Sequence, residues 1–296
     1  MPRQSPWKGY QLAISLILPS LILLGGIILY PILNNFFISF FRYDLTMPWS
    51  RPFVGLGNYI DMFKNREFLA SVGRAAYFTA VSVSLEVVLG LLIALFLNQK
   101  FRGQAFLKTL IILPWAVPTV VSAIMWKWIY DANYGALNGI LLQLGFIEKY
   151  QPWLTRPLTA MNLIIMADVW HQTPFVVFIF LAALSTIPAP LYEAAKVDGA
   201  GVVNAFFKIT LPLMKPAFLI VLVIRTMEAF RIFDIIYVIT GGGPANATQV
   251  VTYYTYVETF RYLHLGNGAA QSFVVSLFIM LLSIVYIKLL NAKVEY

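Results

Sequence analysis

The sequence predicts an all-α integral membrane protein with six transmembrane helices, and two observations carry that expectation. Of 296 residues, 60% are hydrophobic and 11% charged, against roughly 45–50% apolar residues in a soluble domain, and the mean hydropathy is +0.77. Six apolar segments, at about 12–33, 75–97, 109–130, 159–184, 217–240 and 269–290, reach the roughly 20 helical residues that a hydrocarbon core requires. Runs of this length favour helices over the short alternating strands of an outer-membrane barrel.

The first segment follows Arg3 and Lys8. It is longer than the roughly 7–15 apolar residues of a secretory signal and lacks a small-residue cleavage site, so it is expected to be a retained span. The connection 43–74 mixes Pro, Gly, Asn and charges. Within it, 58–68 sets Tyr59, Ile60, Met62, Phe63 and Phe68 on an apolar stripe, the pattern of an interfacial helix. The second and third spans are joined by 98–108, which carries Lys100, Arg102 and Lys108 and no acid. Basic density in a short connection marks the cytoplasmic side, and Lys196, Lys208, Lys215, Lys288 and Lys293 fall on the same side. An even span count then places both termini in the cytoplasm. The connection 131–157 is polar, with Tyr150 and Trp153, and Gly241-Gly242-Gly243-Pro244 ends the fifth span in a turn. Three regions follow: 1–70 with the first span and its outer loop, 71–290 as the helical core, and 291–296 as a cytoplasmic tail.

Composition removes several function classes. Cysteine is absent, which excludes disulfides, thiolate zinc sites and a cysteine nucleophile. His171 and His264 stand far apart without metal-ligand spacing. Lys108-Thr109 lacks the glycine frame whose N–H groups cradle phosphate, and no Gly-x-Ser-x-Gly elbow occurs. The net charge of +8 is scattered between apolar runs, which points to membrane lipid and not to nucleic acid as the partner. Glu86 and Asp168 would make a carboxylate pair for glycoside chemistry, but nothing local brings them together.

Between the fourth and fifth spans, 187–216 is too polar to be a span. Prolines near its start, an alanine-rich interior, Gly199, Gly201 and Pro212 predict a short helix, a turn and a second short helix. An ordinary connecting hairpin is the plain reading. Glu193-Ala194-Ala195, Asp198-Gly199-Ala200, Phe207, Ile209 and Leu211-Pro212, however, resemble the EAA motif of binding-protein-dependent ABC permeases. Further matches are Phe53-Val-Gly-Leu-Gly-Asn-Tyr59, Arg102-Gly103, Leu113-Pro-Trp-Ala-Val-Pro118, Trp126-Lys-Trp128, Thr173-Pro-Phe175, Ile187-Pro188 and Phe233-Asp234. In their order they are similar to the carbohydrate branch, with its maltose and glycerol-phosphate importers.

The resemblance implies the transmembrane subunit of a type I ABC importer in a bacterial or archaeal cytoplasmic (inner) membrane. It implies transport without covalent chemistry, hence no enzyme. Glu193, Ala194, Ala195, Asp198, Gly199, Ala200, Leu211 and Pro212 would form the ATPase-coupling element. The implied partners are a second homologous permease subunit, two nucleotide-binding ATPase subunits and an extracytoplasmic solute-binding protein. ATP and Mg would sit on the ATPase subunits, with no cofactor on this chain.

Ionisable residues inside spans are costly and face the bundle, a partner or a wet path. Arg225, Glu228, Arg231 and Asp234 recur every three residues, and a salt-bridge ladder and a substrate path both stay open. Glu86 is expected to be a packing or subunit-contact group, and Asp168 a hydrogen-bonding group between helices. The resemblance places a sugar site on the helices flanking the coupling loop. Trp170, His171, Gln172 and Phe175 fall on the first, and Arg225, Glu228, Ala229 and Ile232 on the second. Trp115 and Trp170 would stack on a sugar or anchor at an interface. One alternative is an importer of glycerol phosphate or another phosphorylated polyol, with Arg225 and Arg231 as bidentate donors. A rival of another class is an ion-coupled carrier or membrane enzyme, although no inverted repeat is visible.

Overall fold

A computed structural model describes residues 6–290; Arg3, Lys293 and the tail 291–296 lie outside them. Among the described residues the chain is helical, with two isolated bridges in place of any sheet. It forms two compact units, one built from the residues up to Asn65 with Thr255–Val274, the other from Arg66–Tyr254 and the residues from Val275 onward.

In the first unit, α1 (Pro6–Leu24) runs through a π-helical turn at Gly25–Leu29 into α2 (Tyr30–Ile38). The apolar stretch Ile14–Ile38 is 25 residues long and 0% buried. A helix that is apolar all round and left largely uncovered by the other described residues needs lipid or other subunits around it. The expected interfacial helix at 58–68 is corrected here. Helix α3 spans Gly57–Lys64 and ends where Asn65 turns extended, so Phe68 belongs to the next helix. The loop beyond α2 is pinned by Asn58, whose Nδ2 donates to the carbonyl oxygens of Ser39 (2.8 Å) and Phe41 (2.9 Å). Asp44 pairs with His264 in a short antiparallel bridge. The Thr46 hydroxyl and amide both donate to the Asp44 carboxylate and hold its pKa below the ordinary value.

The second unit is organised on α4 (Arg66–Leu97), which packs along its length against the later core helix. Next come α5 (Gln104–Ala116), α6 (Thr119–Ile129), α7 (Ala136–Gln143) and that core helix, α8 (Pro157–Thr186). Beyond it lie α9 (Ala189–Val197), α10 (Val202–Ala205), α11 (Leu211–Leu213), α12 (Lys215–Phe230) and α13 (Asp234–Ile239). The chain finishes with α14 (Val251–Tyr256) and α15 (Leu265–Leu290). Most of the α8 span, 61%, is buried, against 33% for α4, which makes α8 the centre of this unit. Its core joins Ala94 and Leu97 of α4, Val176, Val177, Phe180 and Leu184 of α8, and Met214, Ala217 and Val221.

Two expected spans are interrupted. The segment at 109–130 is a pair of helices bent by 93° between Ala116 and Thr119. Val117 is extended (φ −79°, ψ 132°) and Pro118 follows; the ring of a proline disfavours the helical conformation for the residue before it. The segment at 217–240 breaks at 231–233 between α12 and α13.

Gly90 sets the approach of α4 to α8, because a Cβ there would lie 2.5 Å from Val176 Cγ1. Gly90→Val is therefore expected to destabilise this packing by about 1–3 kcal/mol, and Val176→Ala to restore part of the loss. Thermal unfolding of the detergent-solubilised protein checks this; an unchanged midpoint for Gly90→Val would contradict the close contact.

Candidate functional site

Two features of the second unit combine exposure or charge with defined geometry. The first is the hairpin between α8 and α12. Pro188 caps α9 in an extended conformation, with Pro190 in the first turn, where a missing N–H is harmless. Helix α9 ends in a Schellman motif: Gly199 N donates to Lys196 O (3.0 Å) and Ala200 N to Ala195 O (2.8 Å). Gly199 occupies the left-handed position at φ +77°, open to glycine without the clash a Cβ brings. Gly201 caps α10, and a π-helical turn at Phe206–Thr210 carries the helix on to α11. Tyr192 Oη and Thr210 Oγ1, 2.9 Å apart, tie the two arms together. Glu193 does not make that tie; it is exposed, as are Ala194, Asp198, Gly199 and Pro212, whereas Ala195, Ala200 and Leu211 are half-buried.

The hairpin presents apolar side chains where water would disfavour them: Val197 and Val202 are each 88% exposed, Val203 69% and Phe207 60%. Beneath it a cavity of about 670 Å³ is bounded by Leu95 and Asn98 from the end of α4, Leu184 from the end of α8, and Tyr192, Phe206 and Thr210 of the hairpin. The carboxyl ends of both central helices thus abut the hairpin. An apolar patch with a polar rim is the mark of an interaction surface.

The second feature is a buried ion cluster. The Arg225 side chain is 1% exposed and Glu86 0%. Arg225 Nε donates to Glu86 Oε2 (2.6 Å) and Nη2 to Glu86 Oε1 (3.0 Å), a fork-to-fork pair between α12 and α4. Nη2 also reaches Asp168 Oδ2 of α8 at 3.5 Å, and Nη1 donates to Glu228 Oε2. Glu86 and Asp168, which nothing local brings together, therefore converge on one guanidinium. The charge ladder stops at its first rung, Arg225 with Glu228. The helix ends at Phe230, Arg231 is exposed and donates to Met227 O, and Asp234 opens the next helix.

The other path candidates divide. His171 is buried, and its Nε2 donates to the carbonyl oxygen of Val117 (2.9 Å). That oxygen sits at the break between α5 and α6, where the helical ladder leaves it without its usual N–H, and in lipid such a group must be satisfied by a neighbour. Trp170 meets Trp126 edge-on at 5.6 Å, and Phe175 meets Trp115 at 6.2 Å. Gln172 and Ile232 are half-buried and Ala229 is buried. Local sequence signals missed Asn138, a buried hub in the 131–157 connection that donates to Asp131 O and Gln151 O and accepts from Gln151 N and Trp153 Nε1.

Residues 86–295 match the family profile described as binding-protein-dependent transport system inner membrane component. The trehalose/maltose transport system permease protein MalF of Thermococcus litoralis is 42% identical over 285 residues, 95% of this chain and 94% of the relative. The sn-glycerol-3-phosphate transport system permease protein UgpA of Yersinia pestis is 35% identical over 282 residues, covering 95% and 94%. A chain in the crystal structure of a bacterial ABC transporter that imports the acidic polysaccharide alginate superposes with a TM-score of 0.84 at 20% identity, covering 99% of this chain and 100% of that one. That likeness shows the fold.

Removing one partner of a buried ion pair costs about 3–5 kcal/mol, because the other charge is left uncompensated. Arg225→Met is expected to lower stability by that amount, and Glu86→Gln with Asp168→Asn in the same chain to recover most of it. Thermal unfolding of the single and triple variants reads this directly; strictly additive losses would mean the three side chains do not act as a unit.

Proposed function

The chain belongs to the family of binding-protein-dependent transport system inner membrane components, and on that premise we propose that it is the permease subunit of an ATP-driven importer of a carbohydrate. It works as a multi-pass inner-membrane transport component in partnership with a solute-binding protein. A second permease of similar fold, together with two ATPase subunits that carry ATP and Mg, completes the assembly. In this reading both termini are cytoplasmic, an even number of spans returning the chain to the side on which it starts. The observation that carries this reading is the hairpin itself. It is a rigid, glycine-closed lever whose exposed Val197, Val202 and Phe207 need a protein cover and whose base rests on the ends of α4 and α8. Closure of the ATPase pair pushes the hairpins, and the helices they abut change which side of the membrane the pathway opens to.

The nature of the solute follows from the charges and from the relatives. Arg225 is engaged by Glu86, Asp168 and Glu228, so it has no free fork for a phosphate, and Arg231 stands without it. This supports an uncharged sugar or glycosylated polyol over a phosphorylated one, in line with the similarity to a trehalose/maltose permease. The half-exposed Gln172, Phe175 and Ile232, with Trp170, are the groups offered to the solute.

Two variants test the lever. Gly199→Val forces a β-branched residue into the left-handed region, a strain of about 1–2 kcal/mol, although its Cβ meets nothing within 4 Å. Glu193→Lys reverses the charge on the exposed docking face. Both are expected to lower ATP-dependent uptake in vesicles severalfold while solute binding by the isolated extracytoplasmic protein is unchanged. Normal uptake by both variants would remove the hairpin from the coupling path. Purified alone, the chain is expected to show no ATP hydrolysis, and hydrolysis that persists after contaminating ATPases are excluded would contradict the division of labour.

A further inference from the structure

At the end of the second unit away from the hairpin, the first turns of α4 and α8 leave an open groove of about 430 Å³. Its walls are apolar, with Ala70 and Gly73 on one side and Pro157, Leu158 and Met161 on the other; Arg74, Tyr77 and Ala247 complete its lining. Tyr77 Oη donates to Asn162 Oδ1 (2.8 Å), which holds the two helices together at the floor. A Cβ on Gly73 would meet nothing within 4 Å, so the notch is not filled by the protein's own atoms.

The groove lies at a defined depth. The apolar runs of these two helices begin at about 75 and 159, so Arg74 and Leu158 stand at the headgroup boundary and Tyr77 and Met161 just inside the hydrocarbon. Tyrosine and arginine at that level are the usual interfacial anchors. Two positive groups meet at this rim, beside one acidic side chain, Glu67 in the first turn of α4. The Arg74 side chain is 21% exposed, with its guanidinium fixed by donation from Nε to Gln249 O (2.9 Å). Its contact with Glu67, at 3.5 Å, is long, and the Glu67 side chain is 59% exposed. Across the groove α8 opens at Pro157 with no acidic residue in its first turn and no side-chain cap, so the positive end of a helix dipole faces the same rim.

We propose that this groove holds an anionic phospholipid, with its phosphate between the Arg74 guanidinium and the first N–H groups of α8, and one acyl chain descending past Gly73 and Tyr77 along Met161. Lipid fits the groove better than a soluble partner because the floor lies within the apolar runs of both helices. A net negative headgroup fits better than a zwitterionic one because the rim offers positive charge. The proposal needs only the membrane location and is independent of the transported solute.

The test uses the chain extracted with the subunits that accompany it and placed in nanodiscs of phosphatidylcholine with or without phosphatidylglycerol. Lipid retained after delipidation is measured by native mass spectrometry. Wild type and Arg74→Lys are expected to retain phosphatidylglycerol selectively. Arg74→Gln, which removes the charge, and Gly73→Leu, which grows a side chain into open space, are expected to lose that selectivity at least severalfold. A photoreactive side chain at position 158 is expected to label lipid. Retention at the wild-type level in both Arg74→Gln and Gly73→Leu overturns the proposal, and so does labelling of another protein subunit from position 158.

Discussion

Arg225 is the constraint on which the helical core depends. A guanidinium with 1% of its side chain exposed, in a helix expected to cross a membrane, keeps its charge and is costly to bury unless opposite charge surrounds it, and Glu86, Asp168 and Glu228 supply that charge from α4, α8 and α12 itself. The bidentate geometry to Glu86 has an orienting consequence that a lysine would lack, because a planar fork fixes both the depth and the rotation of α12 against α4. Hydrophobic packing gives little register of this kind in lipid, where the surrounding chains are as apolar as the helix faces. The small contacts nearby, such as Gly90 under Val176, then close up around a register already set by charge.

The same economy of polar groups explains the broken helices. A membrane helix can be interrupted only where its freed backbone atoms find partners, and at the break between α5 and α6 the partner is His171 of α8. Helix α8 is itself eased at the next turn, where Pro174 removes an N–H and Thr173 Oγ1 donates back to Val169 O (2.6 Å). The 93° bend and the proline therefore lie side by side in the middle of the unit. Two places of reduced backbone bonding in contact form a region that can change shape while the ion cluster, one turn nearer the start of α8 at Asp168, keeps the helices in register.

Much of this was legible in the sequence, for reasons that are local. A span announces itself by about 20 consecutive apolar residues, and the hairpin by Pro188, Gly199 and Gly201 standing at fixed offsets in a polar stretch. The Schellman geometry at Gly199 needed only neighbours within five residues. What the sequence hid was tertiary. Arg225 and Glu86 are 139 positions apart, and Arg225 and Asp168 57, so no period or spacing joins them, and the three-residue recurrence of Arg225, Glu228, Arg231 and Asp234 suggested a ladder that ends after one rung. Pro114 and Pro118 were visible as motif residues, yet the bend they cause was masked by the unbroken apolarity of 109–130. Asn138 was hidden for a similar reason, since a single buried amide in a polar loop resembles an exposed one until its four partners are in place.

These two kinds of feature place stiffness and compliance at different depths. The hairpin is stiffened by short-range bonds: the Gly199 turn, the two prolines that open α9, and the Tyr192–Thr210 tie. Its base meets the carboxyl ends of α4 and α8 around the 670 Å³ cavity, so a displacement of the hairpin reaches the two helices that the Arg225 cluster locks together. A load applied there cannot be absorbed by sliding α4 past α8, because that would separate the buried charges. It is passed instead to the weakest backbone in the path, the interrupted α5–α6 pair beside His171 and Pro174 and the gap at 231–233 between α12 and α13. On the proposed lever reading, rigid coupling at one end and weakened helices near the middle serve a change of access, and in this chain both follow from where prolines, glycines and one arginine stand.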